Sequence, residues 1–408
     1  MFANRKLLVF MALPMQFFCC VAMAQLSLEK VASFPVPQDG PRRISGGRKV
    51  QFSQDGEKII VAFYGSAVQL FDLQKNEQIG KTIRTAGDGE VGFISDEVAY
   101  TADWGSMRLW DASSGNKAGI AIHHELREDT IIHPAIGPEC KRIATRSTMD
   151  SVQLWTREDN RMTSKSFEYP AEISSIRFSD DGGILLVRAG GSLYGIDSKT
   201  GEQLTEAIPA GRRFYHFSRQ ETLITTEHPG DGPNQLVLRS TNEAGWPESH
   251  RINLPGNLSK IVALNDDKVL IQTKQDDYTP AFFTLNLRSP LALSEVKSKA
   301  DRAFRLMVTD DKLHWICSNI KNICCQRVGE SEPVWVMRVP PSGFDQKIYP
   351  MDNEHFFIRD KQANLAIYQV SDAAKVWSFE GVNGFTFEQN RLAICTAAGV
   401  ELWAITDR

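Results

Sequence analysis

The feature that most constrains this chain is a period. Nine short apolar stretches recur along it, each closed by a hydrophobic residue and followed by a turn rich in Asp, Asn, Gln and Glu. The closing residues are Phe52, Phe93, Ile136, Phe178, Phe217, Leu264, Val308, Met351 and Phe387. Their mean spacing is about 42 residues, and the variation falls in the turns. A unit copied at this spacing cannot bury its apolar faces alone, so it stacks on its neighbours. One repeat array therefore accounts for the 408 residues more simply than several independent domains.

The best-kept unit is EVGFISDEVAYTADWGSMRLWDASSG at 90–115. Each unit opens on a short apolar strand and a turn such as SQDG or SDDG, where Asp and Ser bond their own backbone. A second strand follows: KIIVAFY (58–64), ILLVRAG (184–190) or VLIQTK (269–274). These near-continuous apolar runs suit strands buried on both faces. The third strand reads MRLWD, VQLWT or LYGID, and a more polar fourth, such as KTIRT or TSKSFE, suits an exposed edge. No comparable stretch has helical periodicity, so the unit is all-β with four strands.

The two ends belong together. The last unit supplies GFTF (384–387), RLAICTA (391–397) and GVELWAI (399–405) but no fourth strand. Lys30–Phe34 (KVASF) has no unit of its own and matches KVWSF (375–379), the fourth strand of the eighth unit, at all positions but one. The N-terminal strand is expected to complete the last unit and remove the exposed edges of an open array. The predicted fold is a single β-propeller of four-stranded antiparallel blades. Nine blades are counted, with eight as the alternative if a long unit around 217–305 is irregular.

VQFSQDG, IRFSDDG and Leu109-Trp110-Asp111 give the chain a resemblance to the WD-repeat propellers. The resemblance spans the mature chain but is degenerate: one unit keeps Trp-Asp, and the family's opening Gly-His is absent throughout. It implies a non-enzymatic scaffold for a protein or peptide. LYGIDSKTGEQLTEA (193–207) also resembles the blade motif of quinoprotein-like enzymes and of related outer-membrane assembly scaffolds. Asp197, Thr200 and Gly201 fit that motif, while Thr205 stands near the place of its docking Trp. A polysaccharide-binding surface is the third reading, resting on Trp104 and Trp246 taken as exposed.

Arg5 and Lys6 precede an apolar run ending in Ala22-Met23-Ala24, the pattern of a signal peptide cleaved before Gln25. Residues 1–24 are thus read as a leader and 25–408 as the propeller, secreted or periplasmic. A retained anchor, or lipidation at Cys19 or Cys20, is the alternative. Cleavage removes two positive charges and moves the net charge from −4 to −6. That balance lacks the basic face that nucleic acid needs and the polybasic patch that anionic lipid needs. No membrane insertion of the mature chain is expected, and a monomer is the simplest state.

Motifs for chemistry are scarce. There is no nucleophile elbow, CxxC, phosphate loop or HExxH, so neither catalytic residue nor cofactor nor metal is assigned. Asp180-Asp181, Asp266-Asp267 and Asp310-Asp311 recur at one point of the repeat and are read as turn formers. His123-His124-Glu125 has metal-ligand types without a cage spacing. Five cysteines remain after cleavage, and Cys317 and Cys324 are placed opposite each other on adjacent strands as the disulfide candidate. Two groups are the candidate binding residues. His228 and Asp231 lie in a long turn between the second and third strands of the fifth unit. Arg42, Arg43, Arg48, Arg212, Arg213, Lys260, Arg302 and Lys347 precede or begin first strands and would give the channel a basic mouth; Arg42, Arg43, Arg212 and Arg213 are the foremost of these.

Overall fold

In the computed structural model the period becomes nine four-stranded antiparallel sheets, arranged as the blades of a β-propeller. The structure describes residues 26–407 except 39–43, 88, 104–105, 120, 124–133, 139–140, 147–149, 159–160, 211–213, 218–220, 228–232, 266, 276–278, 289–292, 297–304, 310, 319–321, 329, 331 and 339–346. Among the described residues every regular element is a strand. The first blade is built from Ser45–Phe52, Lys58–Tyr64, Ala67–Asp72 and Glu77–Arg84, running from the channel outward. Seven blades follow at 90–123, 135–168, 173–209, 214–253, 257–296, 305–338, 347–379, and 384–407 adds three strands of the ninth; the long units at 214–296 are regular blades, so the eight-bladed alternative falls.

The ring closes as the sequence predicts. Leu26–Pro35 pairs antiparallel with Gly399–Asp407, with Leu26 opposite Asp407 and Pro35 opposite Gly399. It forms the outer strand of the ninth blade. Leu26, Leu28 and Phe34 on this strand are buried.

The continuous apolar second strands are explained by where their two faces go. Side chains alternate along a strand. Ile59, Val61 and Phe63 enter a cluster shared with Ala393, Cys395 and Leu402 of the ninth blade. Ile60 and Ala62, between them, enter a cluster shared with Val91, Ala99 and Trp110 of the second blade. The same split recurs at Leu185 and Val187 against Leu186, and at Leu392 and Ile394 against Ala393 and Cys395. The apolar cores therefore lie between blades, not within them.

Turns carry the other regularity. Ser53, Ser179 and Thr309 each donate their hydroxyl to the Asp two residues on, Asp55, Asp181 and Asp311, at 2.6 Å. Each Asp also accepts the N–H of Glu57, Gly183 or Leu313. Of the acidic pairs, Asp181 and Asp311 are thus turn formers, as expected, whereas Asp180 faces Arg177 at 3.7 Å and Asp267 faces Arg288 at 2.8 Å, and Asp266 and Asp310 lie outside the described residues. The turns also tie blade to blade, since Asp55 N–H donates to Asp96 Oδ1 at 2.8 Å and Asp311 N–H to Asn353 Oδ1 at 2.7 Å.

Trp110-Asp111 divides its work. Trp110 is buried and donates Nε1–H to Thr101 Oγ1 at 3.1 Å. Asp111 Oδ1 closes the following turn by accepting from Ser113 Oγ and from the N–H groups of Ser113 and Ser114. Those bonds, led by the Ser113 hydroxyl, hold its carboxyl at about 2. Because the folded value lies below the unfolded one of about 3.9, this contribution is complete above about pH 4 and is lost as the pH falls toward 2. Asp111→Ala is expected to lower the thermal midpoint at pH 7 by a few degrees, with the gap from wild type closing between pH 4 and 2. A gap independent of pH would remove the role assigned to the carboxylate.

One expectation fails. Trp246 is not exposed: it is 2% accessible and packs with Leu186, Leu193 and Leu223 between the fourth and fifth blades. Gly195 makes the room, because a Cβ there would lie 2.2 Å from the indole ring. Trp104, its partner in the polysaccharide reading, lies outside the described residues.

Candidate functional site

Inner strands of neighbouring blades meet around the channel, the first against the ninth and second, the seventh against the eighth. Where the eighth, ninth and first blades adjoin, the wall holds a cavity of about 680 Å³. That volume is in the range of about 300–1,000 Å³ common for ligand pockets.

One wall is aromatic. Phe385 and Phe387, two residues apart on Gly384–Glu388, share the face toward the eighth blade. There Tyr349 meets Phe385 edge-on at 5.0 Å, and Phe357 lies 5.3 Å from Phe385 and 5.8 Å from Phe387. Phe357 is fully buried, whereas Tyr349, Phe385 and Phe387 are only half-buried. The ring stack is thus anchored behind and open in front.

The other components are cationic and polar. Arg359 ends the second strand of the eighth blade, and its Nη2 donates to the carbonyls of Val382 and Asn383 at 2.9 and 2.8 Å. Arg48 comes from the inner strand of the first blade and donates Nη2 to Gly89 O. Between them the chain runs close: a Cβ on Gly384 would lie 2.4 Å from the carbonyl oxygen of Arg48. Only a glycine lets the ninth and first blades meet this tightly. At the far end Glu388 is exposed, and Gln389 Nε2 donates to Gln54 O. A second cleft of about 540 Å³ between the second and third blades mixes Glu97 and Asp111 with Lys117 and Arg157, so it presents no single sign of charge.

The candidate residues read from sequence fare unevenly. Arg48 lines the cavity, and Lys347 is exposed at the start of its inner strand. Lys260 donates Nζ to Leu306 O in the next blade, as Arg146 does to Ile173 O at 2.6 Å. These bonds clamp neighbouring blades together and leave the charge of each cation in place. Arg42, Arg43, Arg212, Arg213, Arg302, His228 and Asp231 lie outside the described residues. Glu227, the last residue before the 228–232 turn, is fixed by Arg239 at 3.1 Å and Arg251 at 2.7 Å. Thr205 is buried and accepts the N–H of Gly195. Among the described residues no His, Cys, Asp and Glu group is arranged to hold a metal. Sequence reasoning missed Arg359, Tyr349, Phe385 and Phe387. Their signal was the density of aromatics on two successive inner strands, IYP and GFTF.

Cys317 and Cys324 stand opposite each other in register, with Sγ atoms 2.7 Å apart, both as buried thiols. Burial drives Cys317 well above the ordinary thiol range and pushes Cys325 and Cys395 up to about 12. Native protein at pH 7 is therefore expected to leave Cys325 and Cys395 unlabelled by a maleimide, with labelling appearing on unfolding in the presence of reductant. Fast labelling of either in the native state would contradict their burial.

No protein-family model and no curated protein matches the chain. Its architecture is similar to that of solved structures. The crystal structure of a eukaryotic initiation factor aligns with a TM-score of 0.60 at 11% identity, covering 88% of this chain and 96% of that one. The computationally designed Ika8 protein aligns with a TM-score of 0.52 at 10% identity, covering 92% and 99%. The chain has a nine-bladed β-propeller fold. At such identities the likeness speaks for the fold alone.

Proposed function

We propose that this protein is a non-enzymatic binding scaffold for a protein or peptide, exported and acting as a monomer outside the cytoplasm. The observation that carries the reading is the channel-side cavity, where half-buried aromatics and the Arg359 guanidinium meet at a seam between blades. A large pocket with a few convergent polar groups is the default binding site of a fold. The WD-like strand and turn pattern supports the same reading, because that family's propellers present rims and faces to partners. The basic-then-apolar pattern of residues 1–24, read from sequence as a cleaved leader, is what supports the location.

Affinity capture from the native envelope or medium, using the mature chain as bait, tests this. The expected result is retention of a defined protein that is not retained by a Phe385→Ala, Phe387→Ala bait. A stoichiometric quinone or metal in the purified protein, found by mass analysis together with turnover, would instead favour the quinoprotein-like reading.

A further inference from the structure

We propose that the channel-side cavity recognises a carboxylate carried on an aromatic group, either the C-terminal end of a peptide whose last residue is aromatic or a free aryl carboxylic acid. The inference rests on the binding-scaffold reading and names the chemistry of its ligand.

The argument begins with charge. Arg48 and Arg359 both line the cavity, and neither forms an ion pair with a carboxylate among the described residues. Among the described residues their hydrogen-bond partners are main-chain carbonyls, which accept from Nη2 in each case. Carbonyls orient a guanidinium without cancelling its charge. The Nε atom of each is enclosed and unpartnered, which leaves Nη1 of each as the donor group without a partner among the described residues. A guanidinium with a free Nη1 at the cavity, that of Arg359 above all, matches a carboxylate, and charge-assisted bonds of this kind are the strong ones.

The rest of the cavity defines what carries the anion. Tyr349, Phe385 and Phe387 are half-buried on channel-lining strands, an exposure with a cost unless something covers them. Their edge-on and tilted packing leaves ring faces and edges for another aromatic group. The Arg359 guanidinium sits at the start of the Gly384–Glu388 strand, on the carbonyls of Val382 and Asn383, the main chain of Arg48 passes Gly384 while its guanidinium bonds Gly89 O beside the second blade, and Glu388 closes the far end. Five residues of strand span roughly 13–17 Å. A ligand lying along it meets the Arg359 cation first, rings next and a carboxylate last. That order selects one anionic end, an apolar body and a neutral or basic remainder.

Isothermal titration with the peptide Gly-Gly-Ser-Gly-Phe as free acid, the same peptide as C-terminal amide, and N-acetyl-phenylalanine tests this. The free acid is expected to bind about ten- to a hundredfold more tightly than the amide, the effect of losing one or two charge-assisted bonds. Arg359→Gln should abolish the preference. Because Arg359 also ties Val382 and Asn383, Phe387→Ala is the second variant: it should weaken acid and amide alike while keeping the acid preferred, with circular dichroism verifying the fold. A peptide acid that binds at least tenfold more tightly than N-acetyl-phenylalanine identifies a peptide end as the source, and equal affinities identify a small acid. Equal binding of acid and amide, no binding of any probe, or an unchanged preference in folded Arg48→Gln and Arg359→Gln proteins overturns the inference. Partner capture that is lost with the Phe385→Ala, Phe387→Ala bait, together with equal binding of acid and amide, would leave the scaffold reading standing without the inference, whereas acid binding with no captured partner would do the reverse.

Discussion

A chain that begins at residue 36 is expected not to fold as a closed ring. Without Leu26–Pro35 the ninth blade keeps three strands and presents Gly399–Asp407 as a bare edge, a template for pairing with other copies. The loss is also apolar. Leu26, Leu28 and Phe34 are buried against the eighth, ninth and first blades, and each such side chain contributes about 1.5–3 kcal/mol when fully buried. Together that is comparable with the whole stability of an ordinary domain, about 5–15 kcal/mol. The measurements are the unfolding transition by circular dichroism and the particle size by light scattering. The expected outcome is a broad or absent transition with oligomers, restored by adding residues 26–35 as a separate peptide. A monomer that unfolds cooperatively near the wild-type midpoint would show that the closing strand is dispensable.

The second large effect concerns Trp246. Trp246→Ala empties an enclosed site between two blades and is expected to cost about 3–5 kcal/mol. Gly195→Ala attacks the same contact from the other side, since its Cβ would overlap the indole, and overpacking of this kind costs about 1–3 kcal/mol. The two changes share one space, so they should not add. In the double variant the new methyl group enters the volume left by the ring, and the combined loss of stability should be smaller than the sum of the separate losses. Denaturant titration of the four proteins measures it. Strict additivity would mean that Trp246 and Gly195 do not act on each other.

The architecture was legible because its signals were local and repeated. Runs such as Ile59–Phe63 are apolar at every position only if both faces of the strand are covered, and the two clusters that divide them show why. Lys30–Phe34 was legible as an outer strand because it repeats Lys375–Phe379, a fourth strand, where no unit remained to claim it. Trp246 was misread for a physical reason. Its sequence neighbours, Asn242, Glu243 and Gly245, are those of an exposed turn, and the cavity that receives it is made by a glycine in another blade, distant in sequence. The channel-side site was hidden for the same reason. Arg48 and Arg359 are ordinary strand cations until ring closure brings the first blade against the ninth, and no local pattern around either one encodes that meeting.

The pairing of Leu26 with Asp407 places the two ends of the described chain side by side on one outer strand pair. Since each apolar core belongs to two blades and the cores form an unbroken circle, no blade is first in any energetic sense. The covalent order of the blades is a convention that the fold does not use. A permuted chain, with a short flexible link joining the present ends and a new break in the exposed Gly190-Gly191 turn, would keep every inter-blade core and move only the point at which synthesis starts. The seam between the eighth, ninth and first blades would then be laid down mid-chain, so the site could be separated from the task of closing the ring.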